Sequence, residues 1–353
     1  MITACKAVEA AVQGGDHAVM LIPYDAAPAF DPALQVHAPG VLPLVWVGLY
    51  GERHDVQAGE AGLGAGPFTL GAWRVTADEA AHAEAVQRIR QYIGAGDAYQ
   101  VNFTFPVQAD FAGDPAGLYQ DMCRGQGSAA LCAYLDFGDV AVLSASPELF
   151  FSFDETGRIR TRPMKGTRRR GLWTAEDDQL RESLEASLKD RAENLMIVDL
   201  LRNDLGRIAE SGSVDVTALW DVEQYDTVWQ MTSTIMGQVR RDVGLHALLA
   251  ALFPCGSVTG APKVRASEII AELEIGPRGA YTGTIGYISP SASNGHSACP
   301  PKQDGRALSG MEAVFNVAIR TVVVDREAGL ATAGVGGGIT WDSEAASEYQ
   351  ECL

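Results

Sequence analysis

The sequence predicts an α+β protein whose sheets are largely antiparallel. Its strand-like segments come in runs and hairpins with helices between the runs, whereas a doubly wound fold would alternate strand and helix strictly. Of the 353 residues, 47% are apolar, which is enough to bury a large core. No linker divides the chain, so we expect a single globular unit.

The first part of the chain is predicted to be rich in strands. Residues 1–75 contain the short apolar runs AVMLIP (18–23) and VLPLVWVGLY (41–50), which are typical of strands joined by loops. A helix is expected over about 77–94, where two glycines follow its last turn. The alternating segment QVNFTFPVQADF (100–111) predicts the next strand.

A hairpin and a long helical region are predicted in the middle of the chain. Residues 131–153 contain two apolar runs that turn at Gly138. Thr174 and Asp177 have the spacing of a capping box. We therefore expect that box to open a helical region over about 175–204, in which leucines recur at a loose helical period.

The last part of the chain is predicted to mix helices, strands and one long loop. Helices are expected over 244–252 and 264–274, and strands over 282–290 and 315–325. The polar segment 291–310, rich in Ser, Gly and Pro, predicts a long mobile loop. The end of the chain, AGVGGGITWDSEAASEYQECL, is interpreted as a strand, a glycine turn and the start of a helix.

Composition excludes several classes of function. Lys and Arg number 27 against 45 Asp and Glu, so the formal net charge is −18. That balance argues against a nucleic-acid binder and against docking on anionic lipid. No apolar run is long enough to span a bilayer, and the N-terminus lacks the apolar region of a signal peptide. Six scattered cysteines are typical of reduced thiols, so we expect a cytoplasmic protein.

The segment IRTRPMKGTRRRG (159–171) carries a lysine among arginines. Neighbouring cations disfavour a protonated amine at Lys165, and a neutral lysine is a nucleophile. The same cations would attract an anionic substrate. The alternative is an exposed basic loop, although Pro163 and Gly166 favour a backbone that approaches a ligand closely.

Two pairs of acids are spaced for metal binding. Asp190 and Glu193 lie three residues apart in one predicted helix, and Glu348 and Glu351 do so in another. Each pair therefore shares a helical face, and two such faces would offer the hard oxygen ligands that Mg²⁺ prefers. The alternative is that all four are solvated, as acid pairs in an acidic chain usually are.

Other candidates are isolated. Glu148, in SASPELFF, lies beside apolar strand residues, where a carboxyl group can keep its proton and act as a general acid, or it faces water at a strand end. Arg320 either points outwards from its strand or binds a carboxylate. The glycine-rich segments 255–263 and 334–339 could hold an anion on backbone N–H groups or serve as tight connections.

Taken together, these segments resemble the family of chorismate-utilising enzymes. The matching stretches run in family order from about residue 80 to residue 351. They are GDAYQVNFT, SPELFF, TRPMKGTRRRG, DRAENLMIVDLLRNDLGRI, VWQMTSTIMG, FPCGSVTGAPKVRASEII, GAYTGTIGYISP, FNVAIRT and GVGGGITWDSEAASEYQE. The resemblance implies two packed antiparallel β-sheets with helices on the outside, chorismate as substrate and Mg²⁺ as cofactor.

Two positions distinguish the branches of this family. Branches that make anthranilate, isochorismate or salicylate carry alanine where this chain has Lys165, and the water-using members carry lysine at Gln100. The resemblance therefore favours aminodeoxychorismate synthase component I, a transferase that makes 4-amino-4-deoxychorismate for p-aminobenzoate and folate. The alternatives are anthranilate synthase component I and a non-catalytic chorismate-binding protein.

The resemblance also implies a role for each site residue. Lys165 would add to C2 of chorismate and Glu148 would protonate the departing hydroxyl group. The ion would be held by Glu193, Glu348 and Glu351, with Asp190 nearby. The substrate carboxylates would be oriented by Gly166, Thr167, Ser257, Tyr281, Arg320, Gly336, Gly337 and Gly338. Ammonia would come from a separate glutamine amidotransferase subunit.

The chain departs from the family pattern at both ends and at one position between them. We expect a shortened N-terminal region (1–75) packed on a catalytic core (76–353). Gln230 stands where many relatives have histidine. Relatives also supply a lysine just after the second glutamate, whereas this sequence ends at Leu353. Either the sequence is a piece of a longer protein, or a short final helix weakens substrate binding.

Overall fold

A computed structural model of the chain describes residues 1–56, 64–126, 131–291 and 307–353. These residues form two β-sheets and eight α-helices. The helices are α1 (Ile2–Gln13), α2 (Glu79–Gly94), α3 (Pro115–Gln126), α4 (Thr174–Glu185), α5 (Leu188–Gly206), α6 (Leu245–Leu252), α7 (Lys263–Leu273) and α8 (Ala345–Cys352). Within the described residues, none of these helices is long and apolar enough to cross a membrane.

Both sheets are antiparallel, which confirms the predicted fold class. The strands of the first sheet are β1 (His17–Ile22), β2 (Trp46–Tyr50), β8 (Leu149–Phe153), β9 (Arg158–Arg162), β10 (Met164–Arg169), β11 (Asp215–Gln224), β12 (Val228–Gln238), β14 (Thr284–Pro290) and β15 (Met311–Val317). The strands of the second sheet are β3 (Phe68–Leu70), β4 (Arg74–Val75), β5 (Gln100–Gly113), β6 (Leu131–Asp136), β7 (Val140–Ser146), β13 (Gly260–Ala261), β16 (Thr321–Asp325) and β17 (Leu330–Ile339).

The strand orders explain how the chain builds the two sheets. The first sheet runs β10-β12-β9-β8-β15-β14-β1-β2, and β11 also pairs with β12. The main path of the second sheet runs β13-β5-β17-β16-β7-β6, and the short strands β3 and β4 pair with β5. The longest pairing in the second sheet joins β5 to β17 over ten residue pairs, from Leu330↔Asp110 to Ile339↔Val101.

The largest apolar cluster packs α1, α5 and α6 against the first sheet. Helix α6 has the sequence LHALLAAL, and five of its eight residues are buried. Within the sheet, the rings of Phe151 and Phe315 stack with centroids 4.8 Å apart. This burial of apolar surface explains why a helix with little polar character is stable here.

The chain crosses from one sheet to the other at two neighbouring points. One crossing follows β7 and contains Glu148, and the other follows β15 and contains Arg320. The Val317 N–H donates to the Glu148 carbonyl oxygen at 3.0 Å, and the Ala145 N–H donates to the Arg320 carbonyl oxygen at 3.1 Å. The two crossings are therefore held side by side by backbone hydrogen bonds.

Several helix predictions are confirmed and two are wrong. Helices α2, α6 and α7 lie where the sequence predicts them. Helix α1 was not expected, because the sequence predicts only strands and loops over 1–75. Thr174 and Asp177 do not form a capping box, since Trp173 is the N-cap residue and makes no side-chain cap. Asp177 instead accepts hydrogen bonds from Arg170.

The strand predictions also need three corrections. The hairpin at Gly138 is confirmed, but its second half continues into the other sheet as β8. Residues 315–325 are not one strand, because the chain leaves the first sheet before Arg320 and enters the second. The glycine-rich segment 334–339 lies inside β17 rather than in a turn. Most of the loop predicted over 291–310 lies outside the described residues.

A buried ion pair joins β5 of the second sheet to the segment before β14 of the first. The side chains of Arg278 and Glu274 are only 2% and 3% exposed. The Arg278 guanidinium donates to Glu274 at 2.7 Å, to the Asn102 carbonyl at 2.6 Å and to the Val258 carbonyl at 2.8 Å. Glu274 also accepts from the Thr104 N–H at 2.8 Å. Both members of the ion pair therefore also have hydrogen bonds to the surrounding backbone.

We expect Glu274→Ala to lower the free energy of unfolding by about 3–5 kcal/mol, because it leaves a buried guanidinium without its counter-charge. The matched control is Asp110→Ala, which removes the bidentate partner of Arg74 in a pair whose side chains are 55% and 72% exposed. That loss should be much smaller, because water and salt screen an exposed ion pair. Urea unfolding at neutral pH measures both, and equal losses would contradict the prediction.

Candidate functional site

Lys165 reaches from the first sheet to the second. The pairing of β10 with β12 shifts register around Lys165 and Gly166. Gly166 has φ +93°, and a Cβ there would lie 3.0 Å from the Cβ of Asp190, so only glycine lets β10 approach α5 this closely. The Lys165 Nζ lies 3.4 Å from where a Cβ on Gly338 would stand. The amine therefore ends beside β17.

The arginines around Lys165 have carboxylate partners of their own. The pairs are Arg162–Glu223, Arg168–Asp190, Arg169–Glu176 and Arg170–Asp177. The sequence argument that these cations act directly on the Lys165 amine is therefore not supported by the geometry. The charged groups that interact with Lys165 include the carboxylates of Glu148 and Glu193.

Glu148 is a buried acid that holds its proton near neutral pH. Its side chain lies at the crossing after β7, and the residue is 3% exposed. Burial raises the pKa of Glu148 from its ordinary value of 4.5 to about 7, and this effect outweighs the Ser257 hydrogen bond and the Lys165 charge. The Ser257 hydroxyl donates to Glu148 Oε1 at 2.6 Å. The alternative of a strand-end acid facing water is therefore excluded.

The acidic faces of helices α5 and α8 lie near each other. Burial and the nearby charges of Asp190 and Glu348 raise the pKa of Glu193. Burial and Glu348 likewise raise the pKa of Glu351. The Glu348 Oε2 is 3.4 Å from where a Cβ on Gly337 would stand. Helices α5 and α8 thus direct their carboxylates to the same end of β17.

Although the two helix faces are neighbours, their carboxylates do not form a compact ligand cluster within the described residues. Within the described ranges, no three His, Cys, Asp or Glu side chains lie close enough to hold a metal ion. Asp190 accepts a hydrogen bond from Arg168 at 2.7 Å, and the Lys189 Nζ lies 3.9 Å from Glu193. The donor chemistry suits a hard divalent cation, because every candidate ligand is a carboxylate oxygen and their repulsion is not fully balanced.

The predicted substrate residues of β17 form a surface without side chains. A Cβ on Gly336 would lie 2.2 Å from the Phe103 carbonyl oxygen, and a Cβ on Gly338 would overlap the amide of Gln100. Gln100 is fully buried, and its amide nitrogen and oxygen have no hydrogen-bond partner among the described residues. Sequence reasoning singled out Gln100 only because it is not lysine, and missed this orientation beside Lys165.

The remaining predicted residues lie around this cluster. The Thr167 hydroxyl donates to Gln230 Oε1 at 2.9 Å, and the Gln230 amide donates to the Gly166 carbonyl at 2.9 Å. Gln230 therefore holds the backbone next to Lys165, a role the sequence did not suggest. Arg320, at φ 50°, lies in the crossing after β15, and its residue is exposed.

Tyr281 borders both this cluster and a separate cavity. Its ring packs directly on Gly334, where any Cβ would overlap it. Burial raises the pKa of Tyr281 above its usual range. The cavity, about 340 Å³ in volume, is lined by Tyr281 and by residues 39–42 and 274–280, but not by Lys165 or Glu148. Lys165 and Glu148, which carry the chemistry, therefore do not line this cavity.

Residues 62–298 and 306–353 match the family described as chorismate binding enzyme. The chain belongs to this family. It is 41% identical to an aminodeoxychorismate synthase of Streptomyces griseus over 80% of this chain and 36% of that protein. It is also 41% identical to aminodeoxychorismate synthase component 1 of Salmonella typhimurium, over 81% and 58%. The chain therefore spans about a third to three fifths of the length of these relatives.

The solved structures agree with this chorismate-binding enzyme fold. Anthranilate synthase component I from Streptococcus pneumoniae matches 99% of this chain and 83% of its own, with a TM-score of 0.77 and 25% sequence identity. The family and the fold that the motifs predict are thus confirmed. In this chorismate-binding enzyme the family motifs meet around Lys165, at the start of β10, the start of β5 and the glycine run of β17.

We expect the stability of the wild-type chain relative to Glu148→Gln to fall as pH rises from about 4.5 to about 7. The folded state keeps a proton that the unfolded state releases, so raising the pH favours unfolding. A pKa raised from 4.5 to about 7 corresponds to a loss of roughly 3 kcal/mol. Urea titrations at several pH values measure this difference, and a flat difference would contradict the raised pKa.

Proposed function

We propose that this chain is the chorismate-aminating component of an aminodeoxychorismate synthase. It converts chorismate and ammonia into 4-amino-4-deoxychorismate, the precursor of p-aminobenzoate and folate. The observation that carries the proposal is the position of Lys165, whose amine lies at β17 and interacts with Glu148 on one side and Glu193 on the other. The named relatives at 41% identity support the same activity.

The first step joins the lysine to the substrate. The neutral Lys165 amine adds to C2 of chorismate, both ring double bonds shift, and the C4 hydroxyl group leaves with the bonding pair. Glu148 gives that group its proton, so water departs. A carboxyl group with a pKa of about 7 suits this transfer, since general acids work best near the operating pH.

The second step reverses the first with a different nucleophile. Ammonia attacks C4, both double bonds shift back, and the C2–N bond to Lys165 breaks with return of the electron pair to the amine. The sum is chorismate plus ammonia giving aminodeoxychorismate plus water. A covalent intermediate divides one difficult displacement into two easier ones.

Mg²⁺ would be held by Glu193, Glu348 and Glu351, with Asp190 nearby. When bound, the ion neutralises a carboxylate of the substrate. The pKa values of Glu193 and Glu351 are raised first by burial and then by neighbouring carboxylates, and a bound cation would offset both effects. The Arg168–Asp190 and Lys189–Glu193 contacts would keep two of the acids from repelling one another before the ion binds.

The substrate carboxylates would be oriented by the residues that surround Lys165. The backbone of the β17 glycines approaches the substrate because no side chain intervenes, and hydroxyl and guanidinium groups complete the set. These residues are Gly166, Thr167, Ser257, Tyr281, Arg320, Gly336, Gly337 and Gly338. Their part in catalysis is to fix the geometry of attack, which can supply a large share of the rate enhancement.

Ammonia is the nucleophile in this proposal, and a glutamine amidotransferase subunit in the cytoplasm supplies it. The buried Gln100 amide beside Lys165 supports ammonia over water. An amide cannot act as the base that activates water, whereas the lysine of the water-using branches can. Anthranilate synthase component I is the second candidate, favoured by the match to the Streptococcus pneumoniae structure. Lys165 counts against it, because that branch carries alanine.

We expect the purified chain to convert chorismate to aminodeoxychorismate when Mg²⁺ and an ammonium salt are supplied, and to lose this activity when EDTA removes the ion. Products are resolved by mass spectrometry. Anthranilate with pyruvate would show that the second candidate is correct. Binding of chorismate without any product, even with an amidotransferase partner added, would support a non-catalytic protein instead.

We expect Lys165→Arg to lower kcat by about a thousandfold or more, because arginine keeps the charge but cannot act as a neutral nucleophile. The matched control is Lys6→Arg on the exposed face of α1, which should retain wild-type activity. Intact-mass spectra of rapidly quenched wild-type enzyme should also contain a substrate adduct. Substantial turnover by Lys165→Arg would exclude the covalent route.

A further inference from the structure

A thiol lies behind the hydroxyl group that contacts the acid. Cys255 Sγ is 3.2 Å from Ser257 Oγ, and Ser257 in turn donates to Glu148 Oε1 at 2.6 Å. The three residues are 4%, 2% and 3% exposed, so bulk water does not compete for these contacts. The turn is held locally, because the Thr259 hydroxyl donates to the Cys255 carbonyl at 2.8 Å.

Counting hydrogens fixes the direction of this chain of contacts. The Ser257 hydroxyl group has one hydrogen, and its short contact to the carboxyl oxygen uses it. With Ser257 as the donor to Glu148 Oε1, the 3.2 Å contact is a donation by the Cys255 thiol. The thiol keeps its hydrogen across the working pH range, because burial raises the pKa of Cys255 to about 12.

We propose that Cys255 is a positioning residue: by donating to Ser257 it keeps the serine hydrogen on Glu148 Oε1, so that Oε2 carries the proton that is delivered to substrate. This inference rests on the proposed role of Glu148 as the acid. Without the thiol, the Ser257 oxygen is free to accept a hydrogen from Oε1, and the acid proton then sits on the oxygen that is bound to Ser257.

The other groups that act on Glu148 are independent of Cys255. They are the charge of Lys165 and the Met164 backbone N–H, both on β10. The Lys263 ammonium, which acts on Cys255, is held by Asp204 at 2.8 Å and by the Leu252 carbonyl at 3.0 Å. Replacing the thiol therefore changes one hydrogen bond and leaves the surrounding charges in place.

The test compares Cys255→Ala and Cys255→Ser with Cys5→Ala, which removes another fully buried thiol in α1. We expect Cys255→Ala to lower kcat by about three- to tenfold, the value of one weak hydrogen bond, with little change in the KM for chorismate. The alkaline limb of its pH–rate profile should move to higher pH. Cys255→Ser should restore both, and Cys5→Ala should match wild type.

A second measurement does not depend on turnover. The carboxyl carbon of Glu148, labelled with ¹³C and assigned by its loss in Glu148→Gln, should titrate at higher pH in Cys255→Ala than in wild type. An unchanged titration overturns the proposal even if the chain proves inactive on chorismate. A loss of kcat in Cys255→Ser as large as in Cys255→Ala also overturns it, because volume rather than hydrogen bonding would then be responsible.

Discussion

The buried ion pair between Arg278 and Glu274 is the constraint on which the substrate side of the fold depends. Its hydrogen bonds end on β5, on the turn that carries Ser257 and on the segment that carries Tyr281. A charge removed from water is costly unless every bond around it is made, so these three segments have only one low-energy arrangement. The ion pair therefore holds in place the segments that carry Ser257 and Tyr281.

The charges and pKa values of the site depend on its position where the chain crosses between the two sheets. Glu148 is a buried acid at the residue where the chain crosses between the sheets. Lys165 reaches the same place because a register shift turns it out of β10. One amine thus interacts with a carboxyl group that keeps its proton and with carboxylates that repel one another, a combination that suits covalent chemistry on an anionic ring.

The sequence predicted the class of fold and most of the site, because both follow from local patterns and long motifs. Lys165, Glu148 and the four acids lie in segments whose resemblance to one family extends over most of the chain. The features that the sequence analysis missed depend on contacts between residues that are distant in sequence. The division of residues 315–325 between two sheets is fixed by contacts with the crossing at Glu148, and the orientation of Gln100 is set by Gly338 on a strand more than 200 residues later. Helix α1 was missed because its buried residues, Cys5, Val8 and Val12, become informative only once α6 and β1 cover them.

The glycine run of β17 limits how this enzyme can change over evolution. At Gly334, Gly336 and Gly338 the space for a side chain is already filled by Tyr281, by the β5 backbone and by Gln100. A substitution at any of these positions would have to displace another part of the site, so they cannot drift one at a time. A change in substrate preference is therefore expected to arise at positions other than these three glycines.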